Sequence, residues 1–329
     1  MKVLFITEGG KQYGLGHITR CLSISQAFSK YHIDTSFIVK GDSFIENLLP
    51  KAKCVFFDWQ KNTKKLTKII SHYKVVILDT LTAPLKVVQI IENNTQYPVF
   101  IDDYRKLNYH KGLIIDWTIG SKLLKKWIEV ECLIGSKYVS LRKEFWNTRT
   151  VSIRKSVKRI LLTFGGSDNR NITMKIVDHL NTKYPKLHKY VIIGKGFAHT
   201  KKIKKYICKN VTLLHSLNSA EMKRVILKSD IAICAGGQTT YELARLGLPS
   251  IIIKTEENQD YDIDGWKKIG FISEALSWDD PKLFININKK IDLYRSEKVR
   301  LKVSRIGKNN VDGKGAVRIA KYILNHYES

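Results

Sequence analysis

Lys2-Val3-Leu4-Phe5-Ile6-Thr7, then Gly9-Gly10, then Gly14-Leu15-Gly16-His17-Ile18-Thr19-Arg20 is the stretch that decides the fold. An apolar run of strand length ends in a glycine-rich loop and continues into the amphipathic segment Ile18 to Tyr31, which is the opening βα unit of a parallel sheet. Glycines here let backbone approach a ligand closely, and the free N–H groups of a helix start attract negative charge. His17 falls in that first turn, where the positive end of the helix dipole disfavours an imidazolium, so its position suits a general base. Thr19 stands where the dinucleotide fingerprint needs a third glycine, so the loop does not specify NAD.

Working outward, the same alternation of strand and helix repeats along the chain. Strands are expected at Thr35 to Val39, Cys54 to Phe57, Val75 to Asp79, Val99 to Asp102 and Leu113 to Asp116, with a helix over Lys65 to Tyr73. The pattern restarts with strands at Arg159 to Phe164, Tyr190 to Ile193, Val211 to Leu214, Ile231 to Ala235 and Ser250 to Lys254. Helices are expected over Ile172 to Lys183, Ala220 to Lys228, Thr239 to Leu246 and, last, Ala316 to His326. The polar, basic stretch from Trp146 to Lys158 separates the two series, so the expected division is a first domain at 1–148, a linker at 149–157 and a second domain at 158–329. With 329 residues there is length for both. The expected fold class is α/β: two Rossmann-like domains with open parallel sheets facing a central cleft, ligands sitting beyond the carboxyl ends of the strands.

Composition excludes several alternatives. Hydrophobic residues at 43% and charged residues at 26% are ordinary for a folded globular protein. No apolar stretch approaches the roughly 18 residues of a membrane span, and Val3 to Ile6 is too short for a signal-peptide core. Cys21, Cys54, Cys132, Cys208 and Cys234 are scattered without a Cys-x-x-Cys pair, which argues against a disulfide framework or zinc site and for the reducing cytosol. The net charge of +27 suits an anionic partner such as a nucleotide or a peripheral membrane contact, but its lysines are spread along the chain as coding bias in an AT-rich genome would leave them. Aromatic-plus-basic strand motifs and zinc-finger spacings are missing, so nucleic acid is not an expected partner.

The second half carries two further glycine loops at strand ends. Phe164-Gly165-Gly166-Ser167-Asp168 precedes the helix from Ile172, and Ala235-Gly236-Gly237-Gln238-Thr239-Thr240 runs into the helix that holds Glu242. Two such loops feeding helix N-termini suit a diphosphate, and Glu242 could accept hydrogen bonds from a ribose diol. Gly247-Leu248-Pro249 ends that helix, and Asn258-Gln259 follows the next strand with paired donors and acceptors suited to sugar hydroxyl or N-acetyl groups. Asp79 and Asp102-Asp103 also end strands, a position where a carboxylate commonly caps the next helix or loop.

In family order, Gly14 to Arg20, Ile101-Asp102-Asp103, the block Leu133 to Phe145, Thr163 to Asp168, Gly236-Gly237 through Glu242, Gly247-Leu248-Pro249 and Asn258-Gln259 resemble the PseG family. These are UDP-sugar hydrolases of pseudaminic acid biosynthesis with the GT-B architecture of MurG-type glycosyltransferases. The resemblance implies hydrolysis of a UDP-2,4-diacetamido-2,4,6-trideoxyhexose, with release of UDP and no metal or other cofactor. It implies His17 as the catalytic residue, with Gly14, Gly16, Arg20, Asp79, Asn258 and Gln259 on the sugar side. It implies UDP contacts from Gly165, Gly166, Ser167, Gly236, Gly237, Gln238, Thr239, Thr240 and Glu242. The family often has a tyrosine two residues after the aspartate ending strand four, where this chain reads Asp79-Thr80-Leu81. A lost phenol there would remove a hydrogen bond worth roughly 0.5–1.5 kcal/mol. A glycosyltransferase of the same fold, with a sugar or lipid-linked hydroxyl in place of water, fits the same motifs.

Overall fold

The computed structural model describes residues 1–10, 14–42, 45, 49, 53–197 and 209–327. The chain divides into two compact units, Met1–Lys143 with Gly313–Ser329, and Glu144–Asp312. Both are Rossmann-like α/β domains, as expected.

In the first unit the described strands form one parallel sheet in the order β3-β2-β1-β4-β5-β6-β7. They are β1 (Lys2–Gly9), β2 (Asp34–Gly41), β3 (Cys54–Phe56), β4 (Val75–Asp79), β5 (Tyr97–Ile101), β6 (Leu113–Asp116) and β7 (Glu131–Ile134). Every residue of β4 is buried, as a strand covered on both faces requires, which is why it reads as a continuous apolar run. The helices are α1 (Gly16–Ser29), α2 (Thr63–Ile70) and α3 (Leu85–Asn94). Leu4, Ile6, Val76, Leu78, Val88, Ile91, Phe100 and Trp127 share one core cluster, joining the central strands to α3 and the segment before β7.

In the second unit the order is β10-β9-β8-β11-β12-β13, again parallel. Its strands are β8 (Arg159–Thr163), β9 (His188–Ile193), β10 (Val211–His215), β11 (Ile231–Ala235), β12 (Ser250–Lys254) and β13 (Leu276–Ser277). The helices are α4 (Ile172–Lys183), α5 (Ser219–Lys228), α6 (Thr239–Leu246), α7 (Asp260–Lys268), α8 (Leu283–Arg295) and α9 (Glu297–Asn310). A capping box between Asn218 and Glu221 starts α5. Gly247, at φ 74°, ends α6 in the left-handed conformation, and a Cβ there would also meet Ser304 Oγ at 2.5 Å.

The division differs from the expected one at both ends. The expected linker at 149–157 belongs to the second unit, where Val151 N donates to Leu246 O at 2.8 Å. The final helix α10 (Gly315–Tyr327), expected within the second domain, belongs to the first. It buries Ala316, Ile319, Ala320 and Ile323, the Tyr322 hydroxyl donates to Glu131, and Arg318 Nη1 donates to Lys137 O at 2.9 Å. The 3.6-residue pattern announces this helix but does not say which core its apolar stripe covers. Asp102 lies just past β5 rather than within it. Among the described residues, no helix is long and apolar enough to cross a membrane. Cys21, Cys54, Cys132 and Cys234 are unpaired, and Cys208 lies outside the described residues.

A Cβ at Gly315 would lie 2.1 Å from the Val139 carbonyl oxygen, a backbone atom that cannot swing aside. Gly315→Val is therefore expected to cost roughly 1–3 kcal/mol, read as a lower urea midpoint. An unchanged midpoint would contradict this docking of α10.

Candidate active site

In the first sheet β1 lies beside β4, with β2 and β3 built outward on one side and β5 to β7 on the other. Such a reversal opens a crevice at the carboxyl ends of the two central strands. His17, the second residue of α1, and Asp79, the last residue of β4, meet there, with His17 Nδ1 2.8 Å from Asp79 Oδ1. Arg20, one helical turn after His17 and so on the same face, donates from Nε to Asp79 Oδ2 at 2.7 Å and from Nη2 to Oδ1 at 2.6 Å. Its Nη1 donates to Asp103 Oδ2 at 2.6 Å. The guanidinium also lies 4.9 Å from the centre of the Trp117 ring.

The centre of this cluster is buried, with Asp79 0% exposed, Arg20 5% and His17 7%, while Asp103 is partly exposed. Burial opposes the Asp79 charge, but Arg20 and then His17 outweigh it and hold the carboxyl well below the usual carboxylate range. Burial also opposes the Arg20 charge, and Asp103 and Asp79 together hold it protonated. The Cys21 thiol, 3.4 Å from Asp79 Oδ2, is pushed up by burial and that carboxylate, which keeps it an inert thiol.

His17 Nδ1 faces an acceptor, Asp79 Oδ1 at 2.8 Å, and a donor, Arg20 Nη2 at 3.1 Å, and Asp79 is the nearer of the two. A lone pair on Nδ1 would face the ionised Asp79 at 2.8 Å, lone pair against lone pair. Nδ1–H donating to Asp79 removes that conflict, and the neutral ring then carries its lone pair on Nε2. Among the described residues no side-chain cap from the N-cap residue Leu15 closes the start of α1, where Thr19 N donates to Leu15 O at 3.0 Å.

Of the residues expected on the sugar side in this unit, Arg20 is fully engaged in orienting His17 through Asp79. Gly14 exchanges two backbone hydrogen bonds with Gly10, at 2.9 and 2.8 Å, and Gly16 is exposed at the first position of α1. Sequence reasoning passed over Asp103, treated as a capping carboxylate, and the two serines that seat the Leu133 to Phe145 block. Ser140 Oγ donates to Arg20 O at 2.9 Å, and Ser23 Oγ donates to Leu141 O. It also passed over Glu8, 1% exposed, which accepts from Leu81 N at 2.8 Å and from the Thr82 hydroxyl and so shapes the turn where a phenol was expected.

The second sheet reverses between β8 and β11, and the two Gly-Gly loops leave those two strands. They are not equivalent. Asp168 caps α4, its carboxylate accepting from Ile172 N and Thr173 N, both at 3.0 Å, so the anion site of that helix start is already filled by the protein. Among the described residues no side-chain hydrogen bond from the N-cap residue Gln238 closes the start of α6, and a Cβ on Gly237 would meet nothing within 4 Å. Gly165, at φ 76°, and Gly166 likewise face open space, and the Gly166 carbonyl accepts from Gly196 N at 2.9 Å. Ser167, Gln238 and Thr239 are partly exposed beside them.

Three of the residues expected to contact the ligand also serve as internal braces. Gln259 Oε1 accepts from Gly236 N at 3.2 Å and Thr255 N at 3.0 Å, clamping the glycine loop to the end of β12. Thr240 is 0% exposed, its hydroxyl bonded to Gly237 O and Trp266 Nε1. Gly236 is packed under Ile263 and Gln259. Asn258 is exposed on the short turn Glu257–Gln259, and Glu242 is 5% exposed on the first turn of α6. Among the described residues, no three His, Cys, Asp or Glu side chains gather as a metal site.

The class these features define is the GT-B fold of two Rossmann-like domains. MurG of Acinetobacter baumannii matches with a TM-score of 0.70 at 10% identity, covering 99% of this chain and 100% of that one. The UDP co-structure of S. aureus MnaA matches at 0.65 with 13% identity, covering 99% and 97%. The glycosyltransferase family 28 C-terminal domain matches residues 160–264, the stretch from β8 into α7. Among relatives by sequence, the uncharacterized protein MJ1062 of Methanocaldococcus jannaschii is 27% identical over 82% of this chain, which spans 58% of that protein's length. The spore coat polysaccharide biosynthesis protein SpsG of Bacillus subtilis is 21% identical over 100% of this chain and 99% of its own. The UDP-2,4-diacetamido-2,4,6-trideoxy-beta-L-altropyranose hydrolase of Campylobacter jejuni is 23% identical over 71% and 92%.

Asp79→Asn leaves Arg20 buried with one carboxylate fewer and is expected to cost about 3–5 kcal/mol at neutral pH. Because the folded carboxyl titrates below its unfolded value of about 3.9, its contribution is complete above that pH and is lost as acid protonates it. Urea midpoints of the two proteins should thus differ most at about pH 7 and converge in acid below about pH 4; equal midpoints at neutral pH would contradict the ionic role. Gly237→Val has room in the fold, so its melting temperature should hold while calorimetry reads a loss of roughly tenfold or more in UDP affinity. Undiminished affinity would rule out the open start of α6 as the anion site.

Proposed function

We propose that the chain is an enzyme acting on a UDP-sugar. Gly165, Gly166, Ser167, Gly237, Gln238 and Thr239 hold the UDP, and Glu242 takes its ribose. His17 is the base that activates an oxygen nucleophile at the anomeric carbon, and Asn258 contacts the sugar. The observation that carries this reading is the His17–Asp79 contact at the reversal point of the first sheet, which suits a ring with Nδ1–H on Asp79 and Nε2 as the base. A positioned base contributes about 10²–10⁴-fold. Backbone amides at an uncapped helix start would meet the charge that develops on the leaving diphosphate, so no step in this account requires a metal.

Two nucleophiles fit this base. The family 28 match and the MurG likeness favour the hydroxyl of an acceptor, which makes the enzyme a glycosyltransferase. The Campylobacter relative and a Helicobacter pylori protein, 25% identical over 80% of this chain and named in part for the same hydrolase activity, favour water. In the hydrolytic reading the substrate is a UDP-2,4-diacetamido-2,4,6-trideoxyhexose and the product feeds a nonulosonic acid of the pseudaminic type, for a surface polysaccharide or flagellin glycan.

Incubation with a panel of UDP-diacetamido sugars and no acceptor separates them. Steady release of UDP identifies water as the nucleophile, and release only on adding an acceptor identifies transfer. In either case His17→Asn should lower the rate at least ~100-fold; a rate untouched by that change would remove His17 from the chemistry.

A further inference from the structure

We propose that Tyr104 positions the substrate, its ring packing against the apolar face of the sugar whose anomeric carbon His17 serves; this rests on the reading of His17 as the base. Tyr104 follows Asp103 in the loop that leaves β5, the neighbour of β4. Its ring centre lies 6.1 Å from that of His17, tilted by 48°, and 5.8 Å from the Arg20 guanidinium carbon. Asp79 and Arg20, which also touch the imidazole among the described residues, are buried, whereas Tyr104 keeps part of its surface in solvent. Since Nδ1 points inward at Asp79, a ligand that reaches Nε2 approaches past the layer that is still exposed, and Tyr104 supplies an aromatic ring there.

Arg20 has other counter-groups besides this ring. Two carboxylates already neutralise the guanidinium, and Trp117, 1% exposed, covers it at 4.9 Å. At 5.8 Å the Tyr104 ring also lies within the limit of about 6 Å for a cation–π attraction to Arg20. A pyranose carries C–H groups on one face and polar groups around its edge. An aromatic side chain with an apolar body and a polar tip matches that division, and ligand sites are lined in this way.

The test is steady-state UDP release by wild type, Tyr104→Phe, Tyr104→Leu and Tyr104→Gln, with His17→Asn as control and a melting curve for each. Tyr104→Phe keeps the ring and should hold KM within about threefold, while Leu and Gln should raise KM roughly tenfold or more with a smaller change in kcat. A wild-type KM in a folded Leu or Gln variant overturns this inference alone when His17→Asn is silenced. If His17→Asn releases UDP as fast as wild type, or wild type releases none from any UDP-sugar with or without acceptor, the base reading falls and this inference falls with it.

Discussion

A guanidinium with 5% exposure cannot be left without counter-charge, and the first unit is arranged around that constraint. Arg20 takes Asp79 from the end of β4 and Asp103 from the loop after β5, so one side chain of α1 ties the helix to two neighbouring strands. His17, one turn earlier, shares the Asp79 carboxylate and has its ring orientation set by it. The backbone beneath is held as well, since Ser140 fastens the Arg20 carbonyl and Ser23 fastens the segment at Leu141. A base supported in this way needs no reorganisation before it accepts a proton.

The second unit meets the opposite demand, which is to leave polar groups open for a ligand. Its two helix starts divide the work: Asp168 closes α4 with its own carboxylate, while α6 begins without a side-chain cap. Leaving a helix start uncapped forgoes about 0.5–2 kcal/mol. Here the surroundings offset that loss, because Gln259 clamps Gly236 and Thr240 is locked under Trp266. Gln259, Thr240 and Gly236 are thus the held parts of the loop, and Gly237, Gln238 and Thr239 the more open ones.

Much of the fold was legible. The continuous apolar runs of β1, β4, β11 and β12 and the Gly-Leu-Pro stop after α6 mark both domains directly, because a parallel strand buried on both faces leaves no polar alternation to confuse it. Less legible was β7, where Glu131 and Cys132 interrupt the run and Glu131 is retained as the partner of Tyr97 and Tyr322. The home of α10 was hidden for a related reason, since an apolar stripe and a close-packed Gly315 fit any core until the partner is known. In the site, the glycine loops and His17 announce themselves by position, but Arg20 and Asp103 lie 83 residues apart and only the sheet order brings them together. Gln259 could not be recognised as a brace either, because its carboxamide would serve a sugar or a backbone amide equally well.

The proposed chemistry turns on the proton of one nitrogen. Nitrogen NMR of the histidine rings, with His17→Asn used to assign the signal, reads the tautomer of His17 directly once buffer alkalinity has made the ring neutral. The proton is expected on Nδ1, against Asp79, and the lone pair on Nε2. A neutral ring carrying its proton on Nε2 would leave no base facing outward, and the account would not survive it.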